Sequence, residues 1–215
     1  ALGEWIVMID SKASSFSTEA EANAAYEAHA CPTMHSFIIS PNCYICESKF
    51  AVFRRACHCR NCGVCICSHC STTWPSSMIP STFNIKSVQT VKICIACDWL
   101  SHSFREALLS GNHDETLALY TTGNVNLRTP FANVKGEIFQ PVHAAVMGKN
   151  IKIFRWLLDY HYCPICITNT PKQPILTSER RSVIDIAMKN NDIDILRYLI
   201  VEKNASVYGC QDLQT

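Results

Sequence analysis

The hydrophobic pattern in the second half of the chain repeats itself. One segment reads P-V-H-A-A-V-M-G from Pro141, and another reads S-V-I-D-I-A-M-K-N from Ser182. Apolar residues follow each segment at helical spacing, and those positions recur 42 residues later. The pattern predicts in each copy a short helix, a tight connection and a second amphipathic helix with one buried stripe. A weaker first copy spans Phe104 to Tyr120.

The segment from Pro141 to Ala145 is similar to the T-P-L-H-x-A signature of ankyrin repeats, with Gln140 and Val142 in place of Thr and Leu. The period of 42 residues exceeds the ankyrin length of about 33, so we expect an insertion within residues 164–181. About three repeats are needed to bury a continuous stacked core. The resemblance therefore implies an all-α ankyrin-repeat solenoid over residues 101–209 that binds a protein, followed by a tail at 210–215.

The first 36 residues are less regular. An alanine- and glutamate-rich stretch from Thr18 to Ala30 follows an apolar cluster. That cluster consists of Leu2, Trp5, Ile6, Val7 and Met8. We interpret residues 1–36 as a helical or irregular lead-in. No segment reaches the roughly 18 apolar residues of a membrane-spanning helix, and the N-terminus lacks the pattern of a secretory signal. We therefore expect a cytoplasmic protein whose membrane contact is peripheral.

Cysteine usage indicates a metal-binding module. The chain has 14 cysteines, and eight of them lie between Cys43 and Cys70. Without a secretory signal, thiolate ligands for a metal are expected rather than disulfides. Four C-x-x-C pairs stand in a row: Cys43/Cys46, Cys59/Cys62, Cys67/Cys70 and Cys94/Cys97. Zinc takes four ligands in a tetrahedron, so four pairs predict two closed sites whose zinc ions are structural.

Zinc also changes the charge of the chain. Two Zn²⁺ ions and eight thiolates together shift the formal net charge of +1 to about −3. A nucleic-acid partner is therefore not expected.

The residues around the cysteines resemble the FYVE zinc finger. Residues 55–63 read R-A-C-H-C-R-N-C-G, against the family's R-R/K-H-H-C-R-x-C-G, and residues 91–97 read V-K-I-C-I-A-C, where the family's last pair follows R-V-C or K-V-C. We place this finger at residues 37–100. The resemblance implies cross-braced zinc binding, with Cys43, Cys46, Cys67 and Cys70 on one ion and Cys59, Cys62, Cys94 and Cys97 on the other.

FYVE fingers typically bind phosphatidylinositol 3-phosphate on endosomal membranes. The resemblance implies head-group contacts from Arg55, His58, Arg60 and Lys92, and membrane insertion of Val52 and Phe53. The sequence also departs from the family. Ala56 and Cys57 replace a basic residue and a His, and Met34 and Phe37 stand where the W-x-x-D motif has Trp and Asp. The loss of that Asp should weaken recognition of the inositol hydroxyls.

Two alternatives to lipid binding stay open. A zinc-stabilised scaffold that binds proteins but no lipid is favoured by the broken motif. A RING-type ubiquitin ligase finger is also cross-braced, and Cys57-His58-Cys59 offers its C-x-H element. The four-residue gap before Cys67 and the glycine at position 63 favour the FYVE interpretation.

The remaining reactive residues predict structural roles. Cys57 and Cys65 are expected to pack beside the zinc sites. Cys163 and Cys166, near His161, could form a third metal site with Cys31 or Cys210, although a loop with buried thiols is the simpler interpretation. His143 is expected to make hydrogen bonds inside its repeat. No nucleophile and base pair, phosphate-binding glycine loop or carboxylate pair stands out, so we predict an adaptor on endosomal membranes rather than an enzyme.

Overall fold

The structure is a computed structural model, and it describes residues 5–9, 12–16, 18, 22, 31–80, 83, 85, 88–133, 135–167 and 173–205. The chain divides into two compact units. The first comprises Ala1–His102 with Gly123–Val125, and the second comprises Ser103–Thr122 with Asn126–Thr215. In the described part of the chain, no helix combines the length and the apolar character that crossing a bilayer requires.

The lead-in contains a β-hairpin. Strands β1 (Trp5–Ile9) and β2 (Lys12–Phe16) are antiparallel, with Trp5 opposite Phe16. The prediction of a helical or irregular lead-in is therefore wrong for these residues, because the β-branched and aromatic residues of W-I-V-M-I favour a strand. Most of the stretch from Thr18 to Ala30 lies outside the described residues.

Two short sheets form the frame of the cysteine-rich region. Strand β3 (Ala56–His58) pairs with β4 (Cys65–Cys67), and β5 (Ser71–Pro75) pairs with β6 (Thr90–Cys94), both antiparallel. Single 3₁₀ turns at Ser68–Cys70 and Ser76–Met78 connect them. Helix α1 (Ile95–Leu109) begins directly after β6. Three of the four cysteine pairs thus lie at the ends of these strands, and Cys43/Cys46 precedes them in the chain.

The core of the finger mixes sulfur with a small number of apolar side chains. Its buried members are Cys43, Cys59, Val64, Ile66, Cys67, Cys70, Trp74, Ile79, Phe83, Val91, Ile93, Cys94 and Cys97. Trp74 donates a hydrogen bond from Nε1 to Asp98 Oδ1 at 2.6 Å, which ties β5 to the first turn of α1. So small an apolar core rarely sustains a fold alone, and metal binding is a common addition.

Glycine is required at one position of the finger. Gly63 has a φ of +81°, and a Cβ there would lie 2.2 Å from the carbonyl oxygen of Thr33. The main chain of His35 donates a hydrogen bond to the Gly63 carbonyl at 3.0 Å. The segment before the first cysteine pair therefore lies directly against the second pair.

The second unit contains helix–turn–helix pairs. Helix α2 (His113–Thr121) follows α1. Helix α3 (Pro141–Met147) is followed by α4 (Ile151–Arg155), which continues through a π-helical turn at Trp156–Tyr160. Helix α5 (Val183–Lys189) is followed by α6 (Ile193–Arg197) and the turn Tyr198–Glu202. Helix α3 contacts α5, and α4 contacts both α2 and α6, so the pairs stack.

The turns inside the pairs repeat in detail. Gly111, Lys149 and Asn191 have positive φ values of 66°, 55° and 52°. The residues that follow, Asn112, Asn150 and Asp192, each cap the next helix by accepting hydrogen bonds from its first turn. The turns and caps thus recur in the same places as the apolar positions of the sequence pattern.

Neighbouring turns approach closely. A Cβ at Gly148 would lie 2.0 Å from the Leu108 carbonyl oxygen, so no larger residue fits there without movement. One pair later Asn190 occupies the equivalent position and donates a side-chain hydrogen bond to the Val146 carbonyl at 3.1 Å. The stack thus uses close backbone contact at one turn and an amide bridge at the next.

The unit is not purely helical. Strands β7 (Phe131–Ala132) and β8 (Ile138–Phe139) form one antiparallel pair, and β9 (Cys166–Ile167) and β10 (Gln173–Pro174) form another. The all-α expectation is corrected on this point, because strands of two residues have no periodicity that a sequence pattern could show. The helical pairs agree with the predicted pattern, and their assignment to the ankyrin family stays a prediction.

Candidate metal centres and basic surface

Two groups of four cysteine sulfurs converge in the finger. One group consists of Cys43, Cys46, Cys67 and Cys70, and the other consists of Cys59, Cys62, Cys94 and Cys97. Within each group the sulfur atoms all lie within 4.8 Å of one another. The first pair thus shares a site with the third, and the second pair shares a site with the fourth. The predicted cross-braced pairing is confirmed.

The sulfur spacing fits zinc. A tetrahedron with Zn–S bonds of about 2.3 Å has edges of roughly 3.8 Å. The Sγ atoms of Cys46 and Cys67 lie 3.9 Å apart in the first group, and those of Cys62 and Cys94 lie 3.9 Å apart in the second. Together with the all-sulfur donor set, these distances show that the two groups fit two Zn²⁺ ions.

The groups also need a cation on electrostatic grounds. Hydrogen bonds from the other three thiols of its group lower the pKa of Cys59, whereas hydrogen bonds with the other three raise the pKa of Cys97. In the other group, hydrogen bonds from Ser48 lower the pKa of Cys46 to about 6, and burial raises the pKa of Cys70 to about 12. Four thiolates at these distances repel one another, and Zn²⁺ removes that repulsion.

Groups around the ligands support the thiolate form. The main-chain N–H of Cys67 donates to Cys43 Sγ, and that of Cys97 donates to Cys94 Sγ, both at 3.3 Å. Arg54 donates from Nη1 to Cys46 Sγ at 3.5 Å. These donors orient the sulfurs and offset part of their charge.

The finger region matches a known family. The FYVE zinc finger family model matches residues 37–102. The match includes all eight cysteines of the two groups. It begins at Phe37, the residue that stands in the Asp position of the W-x-x-D motif.

The predicted head-group residues are placed on two elements. Arg55 immediately precedes β3, and Arg60 lies two residues after the end of β3. The Arg60 N–H donates to the Lys92 carbonyl at 2.9 Å, so these two residues are neighbours. Both arginines and Lys92 are exposed, and Lys92 Nζ donates to Thr73 Oγ1 at 3.1 Å. The structure thus brings Arg60 and Lys92 together and places Arg55 beside the apolar loop.

His58, the fourth predicted head-group residue, is only partly exposed and already contacts other residues of the finger. Its Nε2 donates a hydrogen bond to the His35 carbonyl at 2.7 Å, and its ring stacks on Phe37 with centroids 4.1 Å apart. One ring nitrogen is therefore used by the fold, and a head group would have to contact Nδ1. His58 is outside both sulfur groups, so it does not supply the histidine ligand that a RING-type finger uses.

The predicted insertion loop is a tight turn. Ala51 and Arg54 exchange main-chain hydrogen bonds of 3.2 and 2.9 Å, and Val52 and Phe53 lie between them. Val52 is 79% exposed and Phe53 is 93% exposed. Two apolar side chains are thus held at the tip of a closed turn, where the protein does not cover them.

The sequence analysis missed a second apolar turn. Ile38 and Ile39 are exposed at a turn that the Ser40 N–H closes by donating to the Ser36 carbonyl at 2.9 Å. Consecutive isoleucines between Ser36 and the Ser40-Pro41 pair were the available signal, since they belong to no helical or alternating pattern.

The other cysteines have packing roles. Cys57 donates from Sγ to the Ile66 carbonyl at 3.5 Å, and Cys65 donates to the His35 carbonyl at 3.3 Å. Cys163 is buried and contacts the Leu127 carbonyl. Among the described residues, Cys163 and Cys166 belong to no group that could hold a metal, and Cys210 lies outside them.

Proposed function

We propose that the protein is a peripheral adaptor whose finger binds membranes that carry phosphatidylinositol 3-phosphate. The observation that carries the proposal is the exposed turn at Val52 and Phe53, inside a region matched by the FYVE family. Burying these two side chains in lipid contributes about 1.5 to 3 kcal/mol each before the costs of association. Nearby basic residues add about 1 kcal/mol each on an anionic leaflet.

In this proposal the head group is bound by Arg55, Arg60 and Lys92, with His58 contributing through Nδ1 alone. A phosphate accepts hydrogen bonds readily from arginine, whose fork of donors binds two oxygens at once. Endosomal membranes, which display this lipid, are the proposed location. The proposed role is that of an adaptor rather than an enzyme.

The second unit is proposed to be a short ankyrin array that holds a protein partner. Support comes from the stacked helix pairs, from the repeated capping turns at Asn112, Asn150 and Asp192, and from His143 in the signature segment. Stacked repeats present an extended surface suited to protein binding. Holding a partner there would raise the residence time on the membrane if that partner is itself attached to the membrane.

Co-sedimentation of the full chain with vesicles tests the lipid function. The vesicles contain phosphatidylcholine and phosphatidylserine, with or without phosphatidylinositol 3-phosphate. We expect wild type to prefer the phosphoinositide vesicles at least tenfold, and Arg55→Ala/Arg60→Ala to lose that preference. Lys189→Ala/Arg197→Ala removes the same charge from exposed positions of the second unit and should behave as wild type. Equal binding of wild type to both vesicles would contradict the proposal.

A zinc-stabilised scaffold without lipid binding is the second candidate. It is favoured by Phe37, whose ring packs on His58 where the family has an acidic residue. Failure of wild type to sediment with either vesicle, combined with two zinc ions per chain, would support the scaffold.

A further inference from the structure

The most exposed apolar side chains of the described residues come in two pairs. Phe53 is 93% exposed, Ile38 92%, Ile39 84% and Val52 79%. Single exposed apolar residues are ordinary, whereas clustered ones mark an interaction surface.

A short antiparallel ladder places both turns at one end. The Cys43 N–H donates to the Ser48 carbonyl at 3.0 Å, Asn42 pairs with Lys49, and the Phe50 N–H donates to the Pro41 carbonyl at 3.2 Å. The first zinc knuckle closes one end of this ladder. At the other end, the two segments of the ladder continue side by side from Pro41 and Phe50. Ile38 and Ile39 lie within three residues of Pro41, and Val52 and Phe53 lie within three residues of Phe50.

A contact beyond the ladder supports this placement. Phe37, which precedes the isoleucine pair, packs edge-on against Phe50 with ring centroids 6.0 Å apart. Phe37 before the isoleucine pair and Pro41 after it therefore both contact Phe50, which directly precedes the turn at Val52 and Phe53. The two apolar pairs are neighbours on the surface of the finger.

Both turns are fixed before any ligand binds. The Ile38 N–H donates to Ser36 Oγ at 3.2 Å, in addition to the bond from Ser40 to Ser36 that closes the turn. The bonds between Ala51 and Arg54 close the other turn. Turns that are already ordered lose little conformational entropy on binding, so more of the burial energy appears as affinity.

The charge around the turns suits an anionic surface. Between residues 31 and 97 the sequence has one acidic residue, Glu47. It has six basic residues: Lys49, Arg54, Arg55, Arg60, Lys86 and Lys92. Glu47 lies in the zinc knuckle, at the end of the ladder opposite the apolar turns. No carboxylate of this segment therefore opposes an anionic leaflet at the apolar end.

From these observations we propose that Ile38 and Ile39 form a second lipid-inserting tip beside Val52 and Phe53. The partner that binds this surface is the interfacial region of an anionic lipid leaflet. The inference rests on the proposed membrane function, and it adds that the finger holds the bilayer at two points. Two insertion points fix the tilt of the finger as well as its depth, which one turn alone does not.

Vesicle partitioning of the full chain separates the two tips. The vesicles contain phosphatidylcholine, phosphatidylserine and phosphatidylinositol 3-phosphate. We expect Ile38→Ser/Ile39→Ser and Val52→Ser/Phe53→Ser each to weaken partitioning at least tenfold. Tyr44→Ser is the matched control, because Tyr44 is 69% exposed at the knuckle end and should leave partitioning unchanged. Zinc content and circular dichroism check that every variant is folded.

Methyl spectroscopy adds a readout that affinity cannot supply. In the 215-residue chain with labelled isoleucine methyl groups, spin-labelled lipid should broaden the signals of Ile38 and Ile39. The buried Ile93 should be unaffected. The inference is overturned if Val52→Ser/Phe53→Ser abolishes binding while Ile38→Ser/Ile39→Ser binds as wild type does, and if spin-labelled lipid leaves the Ile38 and Ile39 signals of wild type unbroadened. In that case the proposed function itself survives.

Two other outcomes also count against it. If wild type binds no vesicles, the proposed function and the second tip fail together. If wild type dimerises in analytical ultracentrifugation without lipid and Ile38→Ser/Ile39→Ser does not, the surface pairs two copies of the chain and the second tip is rejected.

Discussion

The finger and the helical unit are stabilised in different ways. Six of the thirteen buried residues in the core of the finger are cysteines of the two sulfur groups, so nearly half of that core consists of metal ligands. The helical unit buries Phe154, Leu157, Ile195 and Leu199 completely or nearly so, and repeats its capping turns. The first region depends on a few strong bonds and the second on many weak ones. They should therefore respond differently to the same kinds of damage.

Metal removal should have the largest effect and should be confined to the finger. Structural zinc contributes about 10 to 16 kcal/mol of apparent binding energy per site in zinc-finger peptides. We expect a strong chelator, or Cys59→Ala, to unfold residues 43–97 while helices α3 to α6 stay protected. Hydrogen-exchange mass spectrometry of the full chain measures this, with elemental analysis giving two zinc ions per chain. Loss of protection in both regions would break the comparison.

A cavity in the helical unit should show the reverse. Leu157 is fully buried, so Leu157→Ala should lower the free energy of unfolding of this unit by about 2 to 5 kcal/mol. Ile193 is 55% exposed, and Ile193→Ala is the matched control with an expected cost below about 1 kcal/mol. Urea titration gives the energies. Zinc content should stay at that of wild type in both variants, and a fall in either would show that the regions depend on each other.

Acid should weaken the helical unit through His143. Its Nδ1 accepts from the Gln140 N–H at 3.1 Å, and its Nε2 donates to the Ile175 carbonyl at 3.0 Å. Burial lowers its pKa to about 4. Between about pH 6.5 and pH 4 the unfolded chain therefore binds a proton that the folded chain does not. The free energy of unfolding should fall by roughly 3 kcal/mol across that window and change little above it.

The variant His143→Gln isolates this term, because glutamine can donate and accept without titrating. We expect its free energy of unfolding to depend less on pH than that of wild type. Urea titration at pH 7.5 and 4.5 measures this energy, and hydrogen exchange of residues 138–160 reports the protection around position 143. A pH dependence identical to wild type would assign the acid sensitivity to other groups.

Loss of one helix cap should have the smallest effect. The Asp185 N–H donates to Ser182 Oγ at 3.1 Å, while the Ser182 N–H donates to Asp185 Oδ2 at 2.7 Å. Ser182→Ala removes the first bond, together with the 2.7 Å bond that Ser182 Oγ donates to Asp185 Oδ2, and should cost about 1 kcal/mol in thermal or urea unfolding. Thr121→Ala removes an exposed hydroxyl at a helix end and should cost less. Equal costs would mean that the reciprocal bonds at Ser182 add nothing to the stack.

The spacing of the cysteines contained most of the information on the finger. Four C-x-x-C pairs predicted two zinc sites because the metal demands four ligands, and the resemblance to a family supplied the pairing. The insertion loop at Val52 and Phe53 likewise came from that resemblance. The turn at Ile38 and Ile39 could not be found in this way, since no ligand spacing or periodicity includes it.

The sequence by itself determined the features that obey a local rule. Ligand pairs and the helical stripe of each repeat depend on neighbours within a few residues, and the 42-residue period follows from comparing the two copies. The tertiary structure alone decided that His58 donates to a carbonyl 23 positions away and that the turns at Ile38 and Val52 share an end of one ladder. Such contacts depend on how distant segments pack, and a pattern of neighbouring residues does not encode that.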